Sequence, residues 1–182
     1  DSTRIVRNLQ HKGGDRYTRA WHRTSSQNVQ KVEESYNFKY TYSVKHKTMS
    51  INEKQEEIIS EFEFLEDWLD KYQQIIDKGM SGKGIDEKYK TDDYLIEGCQ
   101  SKVWVFAEYK EGKVYYQGES NTDIAGGIVV MLVELLSGHT PEEILNTDLY
   151  FIDRIGLKEH LSPTRSNGML AMINQMKLYA LT

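Results

Sequence analysis

A long apolar stripe at helical spacing, one strand–turn–strand pattern and a series of capped helix starts behind it predict an α+β fold, a small antiparallel β-sheet of about three strands flanked by helices. In the stripe, Ile58, Ile59, Phe62, Leu65, Leu69, Tyr72, Ile75 and Ile76 recur at three- and four-residue intervals, which places them on one face of a helix from about Asn52 to Lys78. Gly79, Gly82 and Gly84 then end it. Val103 to Tyr109 reads as a strand, Glu111-Gly112 as a turn and Lys113 to Gln117 as the antiparallel partner, with Tyr94 to Glu97 as a third strand. Ser120, with Asp123 three positions on, forms a capping-box pattern ahead of the apolar helix that runs to Leu136. Thr140-Pro141-Glu142-Glu143 opens another helix, with a cap, a proline at the first helical position and a glutamate at the third. Tyr150 to Ile155 adds a short helix. Ser162-Pro163 starts the last one, on which Met169, Met172, Ile173, Met176 and Tyr179 share a side.

Composition divides the 182 residues into two parts. Residues 1–48 hold 10 Lys or Arg against 4 Asp or Glu, a net of +6, and only 7 of them are Leu, Ile, Val, Phe or Met. Residues 49–182 hold 13 basic against 24 acidic side chains, a net of -11, and 42 of those apolar residues. The first part is therefore read as a basic extension that buries little, and the second as the folded domain. The extension is either a flexible tail or, because the break coincides with Met49, the first methionine, a stretch ahead of the natural start. Basic charge can serve nucleic acid, but here it is scattered, and Tyr36, Tyr40 and Tyr42 alternate only briefly, so no nucleic-acid partner is expected.

No apolar run reaches the roughly 20 residues that cross a bilayer, and the opening residues lack the apolar core of a secretory signal. A single cysteine, Cys99, rules out an internal disulfide framework and a cysteine metal cage. The simplest compartment is then a reducing cytoplasm. The five histidines show no paired metal spacing, so no bound metal is expected. Gly79-Met80-Ser81-Gly82-Lys83-Gly84 misses the spacing of a phosphate loop and follows no strand. Asp86-Glu87 and Asp92-Asp93, with Lys88 and Lys90 between them, read as a solvated loop.

Cys99 is set differently. A lone cysteine is either a small buried hydrophobe or a reactive thiol. Here it follows Gly98 and precedes Gln100 and Ser101, between two strand candidates, in the kind of loop where a rigid sheet presents reactive groups. Arg165 is anomalous in another way: in the first turn of the last helix it meets the positive end of the helix dipole, which disfavours a cation by roughly 0.3–1 kcal/mol. It is a plain surface arginine, half of a loop ion pair, or a charge placed beside the thiol. His160 precedes the same cap and reads as a structural donor or a proton relay.

Three segments, Gly98-Cys99-Gln100-Ser101-Lys102-Val103-Trp104, Gly118-Glu119-Ser120 and His160-Leu161-Ser162-Pro163-Thr164-Arg165-Ser166-Asn167-Gly168, resemble the SufE family of sulfur acceptors. The resemblance runs in register from about Ile51 to Tyr179 and covers none of residues 1–48. It implies a fold shared with iron–sulfur scaffold proteins of the NifU and IscU type. It also implies that Cys99 accepts sulfane sulfur from a persulfide on a SufS-type cysteine desulfurase, stimulates that enzyme and passes sulfur to a cluster scaffold. The pyridoxal phosphate belongs to the desulfurase, so this chain is expected to bind no cofactor and to be no stand-alone enzyme. A carrier works with one accessible thiol, because a second nearby could resolve the persulfide into a disulfide. Arg165 would favour the thiolate or persulfide anion, and Gln100 and Ser101 would shape the loop.

One departure concerns the loop latch. Where the family commonly has Gly-Asp-Ser-Asp, this chain has Gly118-Glu119-Ser120-Asn121, so an amide replaces the aspartate associated with holding the cysteine loop at rest. An uncharged latch predicts a more readily opened Cys99 loop. Two other readings stay open: a thiol-dependent hydrolase pairing Cys99 with His160, and a structural interaction module with an inert cysteine.

Overall fold

The computed structural model describes residues 49–181. Residues 1–48, the basic extension with its tyrosines, lie outside the described residues.

The chain opens with α1 (Ile51–Glu63), whose Ser50 cap takes the Glu53 amide at 3.2 Å while the Glu53 carboxylate takes the Ser50 amide at 2.8 Å. The predicted single helix from Asn52 to Lys78 is in fact two. Helix α2 (Trp68–Ser81) restarts at Asp67, whose side chain accepts the Leu69 amide at 2.9 Å. Phe64 closes α1, and the chain bends between them. The apolar spacing continues through the break in the sequence, so periodicity could not show it, but Leu69 of that stripe is exposed in α2.

Two short 3-10 turns, Glu87–Tyr89 and Asp92–Tyr94, lead to the hairpin of β1 (Val103–Lys110) and β2 (Lys113–Ser120). Its register runs from Lys110↔Lys113 to Val103↔Ser120. Glu111 and Gly112 make the two-residue turn with φ of 52° and 79°, the left-handed pair that suits the twist of a hairpin. The expected third strand is reduced to one bridge, Leu95↔Trp104, supported by the Ile96 amide on the Val103 carbonyl at 2.8 Å. Asp92–Tyr94 coils immediately before it and Gly98, at φ 84°, turns the chain away after it. The sheet is therefore two-stranded among the described residues.

Helix α3 (Asp123–Leu136) is the centre of the core, with Val129, Met131, Leu132, Leu135 and Leu136 all buried. It packs on β2 and α2. The capping box expected from Ser120 does not form: Thr122 is the cap residue, and the Ser120 hydroxyl turns instead to the Lys102 carbonyl at 3.0 Å. The box at Thr140 and Glu143 does form and starts α4 (Pro141–Asn146). Helices α5 (Phe151–Arg154) and α6 (Leu157–His160) follow, with Gly156 between them at φ 73°. Helix α7 (Pro163–Tyr179) starts at its Ser162 cap and buries Gly168, Met169, Met172, Ile173 and Met176. This is the predicted α+β class, with helices around one small antiparallel sheet.

His139 gives the fold an acid-sensitive point. It is 3% exposed, its Nε2 has no partner among the described residues, and its Nδ1 lies 3.6 Å from the Glu143 carboxylate. Burial holds its pKa below the ordinary value of 6.5, with Lys54 and Lys113 adding to the effect and Glu143 opposing it. The folded state therefore binds this proton less readily than the unfolded chain. Stability present above 6.5 should fall as pH drops below that value, by at most about 1.4 kcal/mol per pH unit from this group. Melting curves across that range should show a shallower pH slope for His139→Asn; parallel slopes would remove His139 from the account.

Candidate functional site

The Cys99 loop has a closed base and a stitched arm. The bond from Ile96 to Val103 closes the base. Lys102 is then held from the β2–α3 connection, its amide by Asn121 Oδ1 at 2.9 Å and its carbonyl by the Asn121 amide at 3.1 Å. The Thr122 hydroxyl donates to Ser101 Oγ at 2.8 Å. Asn121 therefore fastens the Lys102 amide through a neutral oxygen, a weaker acceptor than a carboxylate.

The thiol itself points inward. Cys99 is half-buried, and its Sγ lies 3.3 Å from the Gly168 carbonyl oxygen on α7, to which it donates. Beneath it is a cavity of about 290 Å³ walled by Ile124, Ala125 and Ile128 of α3 and by Met172 of α7. Thr164 and Arg165 border the same space, as do Gln100 and Ser101. Burial pushes the Cys99 thiol above its ordinary pKa of 9.0, so the resting side chain is a protonated thiol rather than a thiolate.

Cys99, Gln100, Ser101 and Arg165 therefore meet at one cavity, although they come from two segments more than 60 residues apart. Gly98 supplies the left-handed turn before the thiol. Asn121 acts one step away, on Lys102. Arg165 is exposed in the first turn of α7, a turn without acidic residues, and its guanidinium has no partner among the described residues. The loop ion pair considered for it is not formed there.

His160 is placed elsewhere. Its ring stacks on Trp68 at 3.5 Å between centroids, its Nδ1 lies 3.1 Å from the Gly156 carbonyl, and its own carbonyl accepts the Tyr72 hydroxyl. It is not among the residues that line the Cys99 cavity. No hydrogen bond joins Cys99 and His160 among the described residues; the ring's contacts are with Trp68 and the Gly156 carbonyl.

Thr122, Thr164 and Gly168 are parts of the site to which sequence reasoning assigned no role. Gly168 left a trace, since glycine inside an amphipathic helix costs roughly 1 kcal/mol relative to alanine and often marks a close approach. Among the described residues, no group of three or more His, Cys, Asp or Glu could hold a metal ion, and no helix is long and apolar enough to cross a membrane.

Comparison with known proteins gives consistent results. A family model described as SufE, Fe-S metabolism associated domain, matches residues 56–180. An uncharacterized SufE-like protein of Rhizobium meliloti is 33% identical over 127 residues, which cover 67% of this chain and 91% of that protein. A SufE-like protein of Arabidopsis thaliana, named as chloroplastic/mitochondrial, is 36% identical over 129 residues, covering 70% of this chain but only 35% of that longer protein. An uncharacterized SufE-like protein of Synechocystis is 32% identical over 124 residues, with 68% and 78% covered. The solution structure of a hypothetical protein from Thermus thermophilus has the same fold, with a TM-score of 0.58 at 21% identity over 70% of this chain and 96% of that one.

Proposed function

Because this chain belongs to the SufE family, associated with iron–sulfur metabolism, we propose that it is a sulfur carrier whose Cys99 accepts sulfane sulfur from a PLP-dependent cysteine desulfurase of the SufS type. The observation that carries the reading is the half-buried Cys99 thiol in a loop, above a cavity that Arg165 borders. In the step itself, the Cys99 thiolate attacks the terminal sulfur of the partner's persulfide. The partner's S–S bond breaks, a new S–S bond forms on Cys99, and the partner leaves as a thiolate. Atoms and electrons balance without any other oxidant or reductant. The pyridoxal phosphate is the partner's, and the downstream recipient is an iron–sulfur cluster scaffold. In this reading the chain stimulates the desulfurase by removing its sulfur and is no stand-alone enzyme. The cytoplasm, as the simplest reducing compartment for a free thiol, belongs to the same proposal.

The inward, protonated thiol is a storage state, and reaction requires the loop to carry Cys99 outward. Asn121 holds the loop arm through Lys102 with neutral bonds, so the loop opens more readily than with a charged latch. Arg165 stabilises the emerging thiolate or the persulfide anion from the cavity rim. As an exposed charge it contributes up to about 1 kcal/mol, so Arg165→Ala should slow single-turnover sulfur acceptance roughly two- to fivefold, with Arg165→Lys retaining most of the rate. Unchanged transfer in the Ala variant would remove Arg165 from this role.

The direct test is to mix the protein with a cysteine desulfurase and free cysteine and to weigh it. A gain of one sulfur atom, located on the peptide containing Cys99, is the expected result. No gain with any cognate desulfurase would defeat the reading.

A further inference from the structure

The contact between Cys99 and α7 is closer than a helix surface ordinarily allows. Gly168 is buried in the second turn of α7, and a Cβ built there would lie 3.3 Å from Cys99 Sγ, 3.7 Å from Cys99 Cα and 3.8 Å from Cys99 Cβ. These are the three nearest atoms to that position, so a side chain at position 168 would meet Cys99 first, with Sγ in tight contact and Cα and Cβ in ordinary contact. The carbonyl of the same residue accepts the thiol at 3.3 Å. One residue therefore supplies both the room and the acceptor.

We infer that Gly168 is a positioning residue that sets how often the Cys99 thiol is buried and how often it is presented outward. A methyl group at position 168 would press on Sγ at a distance tighter than ordinary side-chain contacts, so the sulfur must give by a few tenths of an ångström, which lengthens and weakens its bond to the Gly168 carbonyl. The backbone of α7 has no reason to shift, because alanine is the better helix former and the tight contact is with Cys99. The yielding part is the loop, whose tip, Gly98 and Gln100, is exposed. Glycine at position 168 thus keeps the resting thiol inward at a cost in helix propensity. The loop's own fastening through Asn121 and Thr122 acts on Lys102 and Ser101, so Gly168 is a separate restraint on the thiol itself. What the buried state is for rests on the sulfur-carrier reading; that Gly168 maintains it does not.

Alkylation by iodoacetamide tests this without a desulfurase, because Cys99 is the only thiol in the chain. Gly168→Ala should react roughly two- to fivefold faster than wild type at neutral pH, the population change that accompanies weakening of one thiol hydrogen bond under steric pressure. The inflection of its rate with pH should move down toward the ordinary thiol value, since the thiol leaves its buried position. Gly126→Ala is the control: it also places alanine at a helical glycine, with nothing within 4 Å of the new atom, and should alkylate like wild type. Melting curves check that both variants fold. An unchanged rate and inflection in folded Gly168→Ala would overturn the inference, and so would equal acceleration in Gly126→Ala. A desulfurase assay that fails while these outcomes hold would count against the carrier reading alone.

Discussion

Gly127→Ala is expected to destabilise the protein by about 3 kcal/mol or more and to lower Tm by roughly 10 °C or more. Helices α2 and α3 cross with backbone against backbone at this point. A Cβ on Gly127 would fall on the carbonyl oxygen of Ile75 and 2.5 Å from Ile75 Cγ2, while one on the facing Gly79 would meet the Gly127 nitrogen at 2.7 Å. Overpacking against a flexible side chain ordinarily costs about 1–3 kcal/mol, because a rotamer can yield. Here the obstacle is a peptide group fixed within a hydrogen-bonded helix, so the two helices must part. Retreat of α3 is limited on its other side, where Gly118 of β2 leaves space for Val129; a Cβ there would come 2.7 Å from Val129 Cγ2. A loss of this size is a large share of the roughly 5–15 kcal/mol that holds a domain folded. Gly126→Ala, one residue away with open space, should melt within a few degrees of wild type. If both variants melt alike, close helix crossing is not what position 127 provides.

The same residues show what the sequence could and could not reveal. The hairpin was legible because Glu111-Gly112 separates two β-rich runs by a two-residue turn. The α4 and α7 starts were legible because cap and proline sit at fixed offsets. The break at residues 64–67 was not, since the stripe keeps its period across it and only the Asp67 cap marks it. The third strand failed for a different reason: Tyr94 to Glu97 has strand-like residues, but pairing needs a length of extended backbone that the turns on either side do not leave. In the site, Cys99 and Arg165 were recognisable from loop context and an electrostatic anomaly, and they do border one cavity. His160 was ambiguous because its partner, Trp68, is distant in sequence. Gly168 became meaningful only once α7 was seen to face the Cys99 loop.

Cys99→Ser should abolish sulfur acceptance outright while leaving the fold within about 1 kcal/mol of wild type. The loss should be complete rather than partial because the chain has one cysteine, and no second thiol can take over. Serine is close in size and keeps a donor, so its hydroxyl can still approach the Gly168 carbonyl that the thiol now uses. What it lacks is a nucleophile available near neutral pH: the thiol's ordinary pKa of 9.0, even raised by burial, is within reach once the loop opens, whereas an alcohol stays protonated. Intact-mass measurement after incubation with a desulfurase and cysteine, paired with a melting curve, reads both halves. Sulfur retained on Cys99→Ser would place the acceptor elsewhere and end the carrier mechanism as written. No transfer by wild type, together with a Tm drop of roughly 10 °C in the variant, would instead give the half-buried Cys99 a packing role. The inert-cysteine reading would then be the better one.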